Sequence, residues 1–513
     1  MLHVTEIARP LDPAGTLVDF GPDAYANLEV EVDLKREADL RLAIGEVLNP
    51  DGTLNEAPGG WRIIRTMTRR APAGTSRFAF ELAPHRGPNE NTFTVPVPAE
   101  AGGEIIPFRY VQIIGGEGAV KLRRREVFDD FDDAAAHFSC SDPRLDRVWA
   151  FCRYTMKATS ALGVFVDGER ERCPYEGDAY INQLGWFCCT PSPTIARRTI
   201  DWFEILPTWP VEWRLLTPLL VRDYLLYTGD EAAVRNWLRW LPARLLPELE
   251  QPCGLLHGSD RVREIVDWPE VFRDGYVFGP LDFVPNAYYV KALEAMAELT
   301  GNAAYAAKAN SLRARLRERF FAEGLPADST ETRHTSLHSA VFALWAEIAE
   351  DPAPPGALIR SKGMACSVFA AQFLLDVCFR YGMADHGVAL MTDNGLHSWL
   401  HMLDCGATIA MEAWDDSLKP NQDWNHAWGA APANIIPRRL CGVRPTAPGF
   451  RRFIIDPQPG PITDLELRHP TPLGPVEVTL EGGRQLKIAV PEGAEALFRG
   501  RVLAAGRHTL AFA

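Results

Sequence analysis

The 513-residue sequence has no C-x-x-C pair. Its ten cysteines, Cys140, Cys152, Cys173, Cys188, Cys189, Cys253, Cys366, Cys378, Cys405 and Cys441, are scattered through the middle of the chain. That excludes a zinc knuckle or thioredoxin-like motif and fits mostly buried free thiols in a reducing compartment. No run of about 18 apolar residues occurs, and Met1-Leu2-His3-Val4-Thr5-Glu6 lacks a basic region followed by an apolar stretch, so a cytoplasmic protein with no membrane contact is expected. Positive charge is scarce: 53 Lys+Arg against 67 Asp+Glu leave a formal charge of −14, which repels phosphate backbones and argues against nucleic acid as a partner. There is no G-x-S-x-G elbow and no phosphate loop ending in Gly-Lys-Ser/Thr, which removes hydrolases and nucleotide triphosphatases of those types. The pairs His334/His338 and His397/His401 lack the glutamate of H-E-x-x-H. Asp129-Asp130-Phe131-Asp132-Asp133 matches an acidic magnesium motif but lies ahead of any helical cavity, as a solvated linker would. No metal and no cofactor are expected, and nothing in the pattern sets an oligomeric state.

What is present divides into three. Leu28, Val30 and Val32 alternate with Glu29, Glu31 and Asp33, and Leu40, Leu42 and Ile44 alternate again, the period of a half-buried sheet. Thr92–Val97 and Phe108–Gln112 are further strand candidates, with Gly115–Gly118 expected to close a hairpin. Residues 1–134 are therefore read as an antiparallel β-sandwich. From about Asp142 the spacing turns helical: Tyr289, Leu293, Met296 and Leu299 fall three or four apart, as do Tyr305, Ala309, Leu312, Leu316 and Phe320. Thr300-Gly301-Asn302 between them, and Thr228-Gly229-Asp230 earlier, predict helical hairpins, each with a glycine ending one helix and a cap starting the next. Residues 135–441 are read as repeated helical hairpins. The strand period returns at Val476, Val478 and Leu480, turns at Gly482-Gly483 and runs back through Leu486, Ile488 and Val490, so 442–513 form a second β-sandwich.

Two segments concentrate acids among aromatics. Val166-Asp167-Gly168-Glu169-Arg170-Glu171-Arg172-Cys173-Pro174-Tyr175-Glu176-Gly177-Asp178 holds five carboxylates, and Gly168, Pro174 and Gly177 predict a rigid irregular loop. About 240 residues later come Glu412-Ala413-Trp414-Asp415-Asp416 and Asp423-Trp424-Asn425-His426-Ala427-Trp428. One carboxylate from each would supply the acid and base that transfer of a sugar to water requires, and indoles grip sugar faces. The theme repeats at Trp209-Pro210-Val211-Glu212-Trp213 and Asp267-Trp268.

These residues carry a resemblance. Asp167-Gly168, Arg170-Glu171-Arg172 and Gly177-Asp178 resemble the acidic signature of bacterial α-L-rhamnosidases of glycoside hydrolase family 78. Gly406–Asp415, Asn425–Ala430, Phe108–Val111 and Gly442–Phe450 resemble further stretches of that family, in the same order. The resemblance implies a multidomain chain whose all-α (α/α)6 barrel is flanked by N- and C-terminal β-sandwiches. It implies an inverting hydrolase that removes terminal non-reducing α-L-rhamnose from a carbohydrate, with Glu171 as general acid and Glu412 as general base. Asp167 and Asp178 match carboxylates that hold sugar hydroxyls, and His426 matches a substrate-contacting histidine. Arg172, Tyr175, Trp209, Asp267, Trp268, Trp414 and Trp424 complete the expected substrate contacts. The chain departs from the pattern at Tyr175, where many members have Trp, at the additional acid Glu176, and in a shorter spacing from Asp167 to Glu171. It is also compact for the family.

Inversion calls for carboxyl groups about 6.5 to 9.5 Å apart with water between them. Arg170 and Arg172 flank Glu171 and oppose its protonation, so both guanidiniums are expected to pair with other acids such as Asp167, Glu169 or Asp178. Two other readings stay open: a non-catalytic carbohydrate-binding barrel, and a hydrolase or lyase for a different sugar on the same barrel.

Overall fold

The computed structural model describes residues 2–88 and 93–512. It divides into two compact bodies, one made of residues 1–131, 154–173 and 402–427, the other of 132–153, 174–401 and 428–513.

The first body is built on an antiparallel sheet of β1 (Leu2–Leu11), β2 (Thr16–Leu34), β3 (Ala38–Gly45), β4 (Ile64–Ala71), β5 (Gly74–Ala79), β6 (Ile106–Ile114) and β7 (Gly118–Val127), ordered β1-β7-β2-β6-β3-β4 with β5 also on β2. The register of β2 shifts between Asp19 and Ala24. Its first half pairs with β6 and its second half with β7 and β5. The predicted alternation holds: Leu28, Val30, Val32, Leu40, Leu42 and Ile44 are buried in one apolar core with Phe108, Val111 and Leu122. Burying that apolar face stabilises the sheet, at about 25 cal/mol per Å² removed from water.

Two sequence expectations are corrected here. Thr92 lies outside the described residues, and Phe93–Val97 form no strand. Pro96 and Pro98 have no N–H to donate to a ladder, and Val95 N instead donates to the carbonyl of Arg172 at 2.9 Å. Gly115–Gly118 do not close a hairpin either, because β6 and β7 lie on opposite sides of β2. The glycines carry the chain across the β2–β3 turn, where Lys35 N donates to Glu117 O at 2.9 Å.

The second body is largely helical. Val211–Thr228 ends at Gly229 (φ 74°), and Asp230 caps Glu231–Trp237 by accepting from Ala233 N. Phe283–Thr300 ends at Gly301 (φ 66°), and Asn302 caps Ala303–Phe320 through Ala304 N. Both hairpin junctions thus use the residues predicted for them. Helix 176–189 packs on 211–228, that helix on 283–300, and then in turn come 337–345, 371–380 and 432–435, the last of which packs back on 176–189. Tyr289, Leu293, Met296, Leu312, Leu316 and Phe320 are buried along these faces.

Strands after Gly442 complete this body. Val476–Glu481 pairs with Gln485–Val490 in the predicted hairpin, Leu480 opposite Leu486. They belong to a five-stranded antiparallel sheet with Gly506–Ala511, Leu465–His469 and His137–Cys140. A four-stranded sheet of Val443–Pro445, Arg452–Ile455, Glu495–Phe498 and Arg501–Leu503 contains one parallel pair, Arg452–Ile455 with Glu495–Phe498. All ten cysteines are free thiols, six of them buried. Among the described residues no helix is long and apolar enough to cross a membrane.

Candidate active site

Residues 166–173 of the first acidic segment and 412–427 of the second fall within the first body, whereas 174–178 and Trp428 belong to the second. The loop from Asp167 to Cys173 is tied at its ends: Asp167 N donates to Cys173 O, and Cys173 N donates to Asp167 Oδ1, each at 3.0 Å. Gly168 sits at φ 142°, and a Cβ there would lie 2.4 Å from Asp423 Oδ2. Only glycine lets the carboxylate of Asp423 approach this backbone, where it accepts from Arg170 N at 3.3 Å. Glu169 N donates to Asn425 Oδ1 at 2.7 Å, Tyr25 OH donates to the same oxygen at 3.2 Å, and Asn425 Nδ2 donates to Glu46 Oε1 at 3.2 Å. The strand-rich part of the body therefore fixes both acidic segments through one amide.

The two arginines of the loop part company. Arg172 is at φ 50°, a left-handed backbone uncommon for a side chain of its size. Its guanidinium is committed to both oxygens of Glu169 (2.7 and 2.9 Å), to Glu104 (2.7 Å) and to the carbonyl of Ile105 (2.6 Å). That is the acid pairing expected for it, and it makes Arg172 a brace of the loop. Arg170 departs from expectation: its Nη2 donates to Glu412 Oε1 at 2.8 Å and lies 3.4 Å from Glu171 Oε1. The physical reason is burial. Glu412 is 1% exposed and needs a counter-charge, whereas Asp423 is already held by the imidazole of His426, Oδ1 to Nδ1 at 3.0 Å. With one nitrogen touching both, the facing oxygens of Glu171 and Glu412 are at most about 6 Å apart.

A second cation completes the cluster: Lys419 Nζ is 3.2 Å from Glu412 Oε1. Burial, and then the like charge of Asp423, push the Glu412 carboxyl above its ordinary range against the pull of His426, Arg170 and Lys419. Burial would raise Asp423 as well, but His426 and Arg170 outweigh it and hold that carboxyl low. Burial also lowers Lys419. Glu412, Asp423 and His426 offer ligand atoms within 4.8 Å of one another. The fixed cations Arg170 and Lys419 already supply the positive charge there, so the donor set favours an acid–base cluster over a metal centre.

The remaining predicted residues are placed as follows. In the first body, Trp414 is 0% exposed and packs in the interior, whereas Trp424 Nε1 donates to Asp416 Oδ1 at 3.3 Å and its ring carries the Arg62 guanidinium at 5.2 Å. In the second body, Tyr175 meets Trp213 edge to face at 5.4 Å, and Asp178 is buried in the first turn of helix 176–189. Trp209 and Trp268 keep part of their surface open. Asp267 is wholly buried and saturated. Oδ2 is 2.7 Å from His338 Nε2 and accepts from Ser367 N at 2.9 Å, and Oδ1 accepts from Trp268 N at 2.8 Å and from the hydroxyl of Ser367. Glu212 accepts from Ile265 N (3.0 Å) and Val266 N (2.8 Å), bracing a segment where Val266 takes φ 61°, and burial raises its carboxyl to about 7. The additional acid Glu176 accepts from Thr208 N at 3.1 Å and from its hydroxyl. Arg170, Lys419, Asp423 and Asn425 were not among the predicted site residues. Asp423 and Asn425 stand inside a segment the sequence singled out, but nothing marks Lys419.

A body of helical hairpins, β-rich regions at both ends of the chain and a buried carboxylate cluster describe a six-hairpin glycosidase. The family model for the bacterial alpha-L-rhamnosidase six-hairpin glycosidase domain matches residues 133–440, and that for the bacterial alpha-L-rhamnosidase C-terminal domain matches 442–498. The chain belongs to this family. It is 22% identical to an alpha-L-rhamnosidase of Streptomyces avermitilis over 96% of its own length and 48% of that protein's. Its fold is that of the crystal structure of Streptomyces avermitilis alpha-L-rhamnosidase complexed with L-rhamnose (TM-score 0.77, 18% identity, 97% of this chain and 50% of that one). It is also that of a Klebsiella oxytoca rhamnosidase with rhamnose bound (TM-score 0.64, 16% identity, 83% of this chain and 88% of that one). The chain spans about half the length of the curated relative it matches.

Proposed function

We propose that the chain hydrolyses terminal α-L-rhamnosides with inversion, Glu171 acting as general acid and Glu412 as general base. The observation that carries this is the convergence of the two carboxylates on Arg170 Nη2, from segments 242 positions apart at Arg170 and Glu412. The shared cation brings the facing oxygens to within about 6 Å of each other, which supports the pairing of the two carboxylates but is shorter than the window of about 6.5 to 9.5 Å for inversion, so inversion rests on the family pattern. Glu171, at 19% side-chain exposure, is the member open to a leaving group. Glu412 is enclosed, as suits a base that activates one water. Asp167 and His426 complete the sugar contacts in this reading, with Trp424 as an apolar wall; the family pattern assigns Asp178 to a sugar hydroxyl, and Tyr175, Trp209 and Trp268 are aromatic candidates for sugar faces. Arg172, Asp267 and Trp414 serve as supports. The ring of helix contacts from 176–189 round to 432–435 supports an (α/α)6 barrel, and we divide the chain into a β-sandwich (1–134), that barrel (135–441) and a second β-sandwich (442–513).

Release of rhamnose from nitrophenyl α-L-rhamnoside, with NMR of the first anomer formed, tests the reading. β-L-Rhamnose first is expected. Binding without release, or activity confined to another nitrophenyl glycoside, refutes it. Glu412→Gln should abolish turnover of every rhamnoside, whereas Glu171→Gln should spare much of the activity on the aryl substrate, whose leaving group needs no proton.

A further inference from the structure

The first body holds a cavity of about 440 Å³ whose walls include Trp61, Arg62, Arg65, His85, Arg86 and Glu169, within the range of about 300–1,000 Å³ of small-molecule sites. It is built onto the segments that carry the catalytic pair. Trp61 N donates to Gln422 O at 3.1 Å, and a Cβ on Gly60 would lie 2.9 Å from the carbonyl oxygens of both Pro420 and Gln422. Arg62 pairs with Asp416, four residues beyond Glu412, and covers the ring of Trp424. Glu169 stands two residues before Glu171.

The charge of this cavity is unusual for a chain of net −14. Glu169 has both oxygens engaged by Arg172, and Arg62 is answered by Asp416. Arg65 and Arg86 are exposed. Arg65 Nη1 donates to the carbonyl of Ile64 at 2.9 Å, and among the described residues neither arginine is ion-paired with an acid. Beside them Trp61 leaves 39% of its surface open. An open indole face suits the CH face of a sugar ring, and two exposed guanidiniums suit a carboxylate bound in forked fashion.

We propose that this cavity receives the leaving group of the reaction and selects one that carries a carboxylate, a uronic acid residue bearing the terminal rhamnose, with Trp61 under its ring and Arg65 and Arg86 on its carboxylate. The inference rests on the hydrolytic reading above and deepens it. The test uses a matched pair, a rhamnosyl-uronic acid disaccharide and its methyl ester, with nitrophenyl α-L-rhamnoside as reference. The acid should be hydrolysed with a kcat/KM at least about ten-fold above the ester, as expected for losing a charge-assisted pair. The preference should shrink as salt rises from about 0.02 to 0.5 M and collapse towards unity in the double variant R65Q/R86Q, while W61A should weaken both disaccharides alike. Equal rates for acid and ester, or a preference that survives R65Q/R86Q, would overturn the proposal while leaving rhamnoside hydrolysis intact. No release from any of the three substrates refutes the hydrolytic reading instead.

Discussion

Lys419 offers the sharpest probe of the site, because it touches the proposed base without being placed to touch the reacting bond. Its ammonium lies 3.2 Å from Glu412 Oε1, and both side chains are almost wholly buried, at 4% and 1% exposure. At that separation the attraction is about 5 kcal/mol for an effective dielectric constant of about 20. Replacing lysine by methionine keeps the stem's packing and removes the charge. Arg170, 2.8 Å away on the same oxygen, stays and recovers part of the loss. The net value is then that of one hydrogen bond between charged groups, about 1.5–3 kcal/mol, or about 1 to 2 pH units at about 1.36 kcal/mol per unit.

The sign follows from the role. A general base works ionised, and losing a neighbouring cation favours its protonated form, so the pKa of Glu412, already above the carboxylate range, rises further. In Lys419→Met the acid limb of kcat/KM for nitrophenyl α-L-rhamnoside should move up by about 1 to 2 pH units, with the plateau above it largely kept. Asp423→Asn removes a like charge from Glu412 and should move the same limb down. If both variants lower the whole profile without displacing the limb, Glu412 is not the ionisation that governs it, and the assignment of the base falls.

Three further outcomes are expected. Gly168→Ala should destabilise the protein by on the order of 3 kcal/mol in urea unfolding and depress kcat, since its Cβ would meet Asp423 Oδ2 at 2.4 Å and its φ of 142° disfavours any side chain; wild-type stability in this variant would contradict the packing described. Asp267→Asn should lower stability by about 2–4 kcal/mol with little change in KM, because the carboxylate answers four protein donors, and a raised KM at unchanged melting temperature would instead make Asp267 a substrate contact. His469 is buried between Tyr227 and Phe450, and burial, followed by the Arg438 charge, lowers its pKa from 6.5 to about 3. The unfolded chain therefore takes up the proton first, and stability complete above pH 6.5 drains away as pH falls towards 3. His469→Phe should recover about 2 kcal/mol at pH 5 relative to pH 8, and parallel pH–stability curves for the two proteins would refute this.

How far the sequence revealed these features depended on whether each was fixed by nearby residues or by distant ones. The alternation at Leu28–Val32 and the caps at Gly229-Asp230 and Gly301-Asn302 depend on neighbours a few positions away, and they fold as read. Phe93–Val97 has the apolar content of a strand, but its prolines silence the ladder, and its partner is the backbone of Arg172. The acidic segments could be located because acids, glycines and indoles crowd there, yet the task of each acid could not be read from the crowd. Arg170 and Arg172 are two residues apart with like neighbours. The left-handed turn at Arg172 sends its guanidinium to Glu104 and Ile105, while that of Arg170 meets a carboxylate 242 positions on. Asp267, expected to face a ligand, spends both oxygens on backbone and side-chain donors, and the neighbouring acids Glu212 and Glu176 likewise answer backbone N–H groups; irregular loops leave N–H groups without a ladder, and buried carboxylates are the acceptors able to answer several at once. A loop rigid enough to aim Glu171 must therefore carry more acids than the chemistry uses, which is why counting carboxylates finds the site and overestimates its working members.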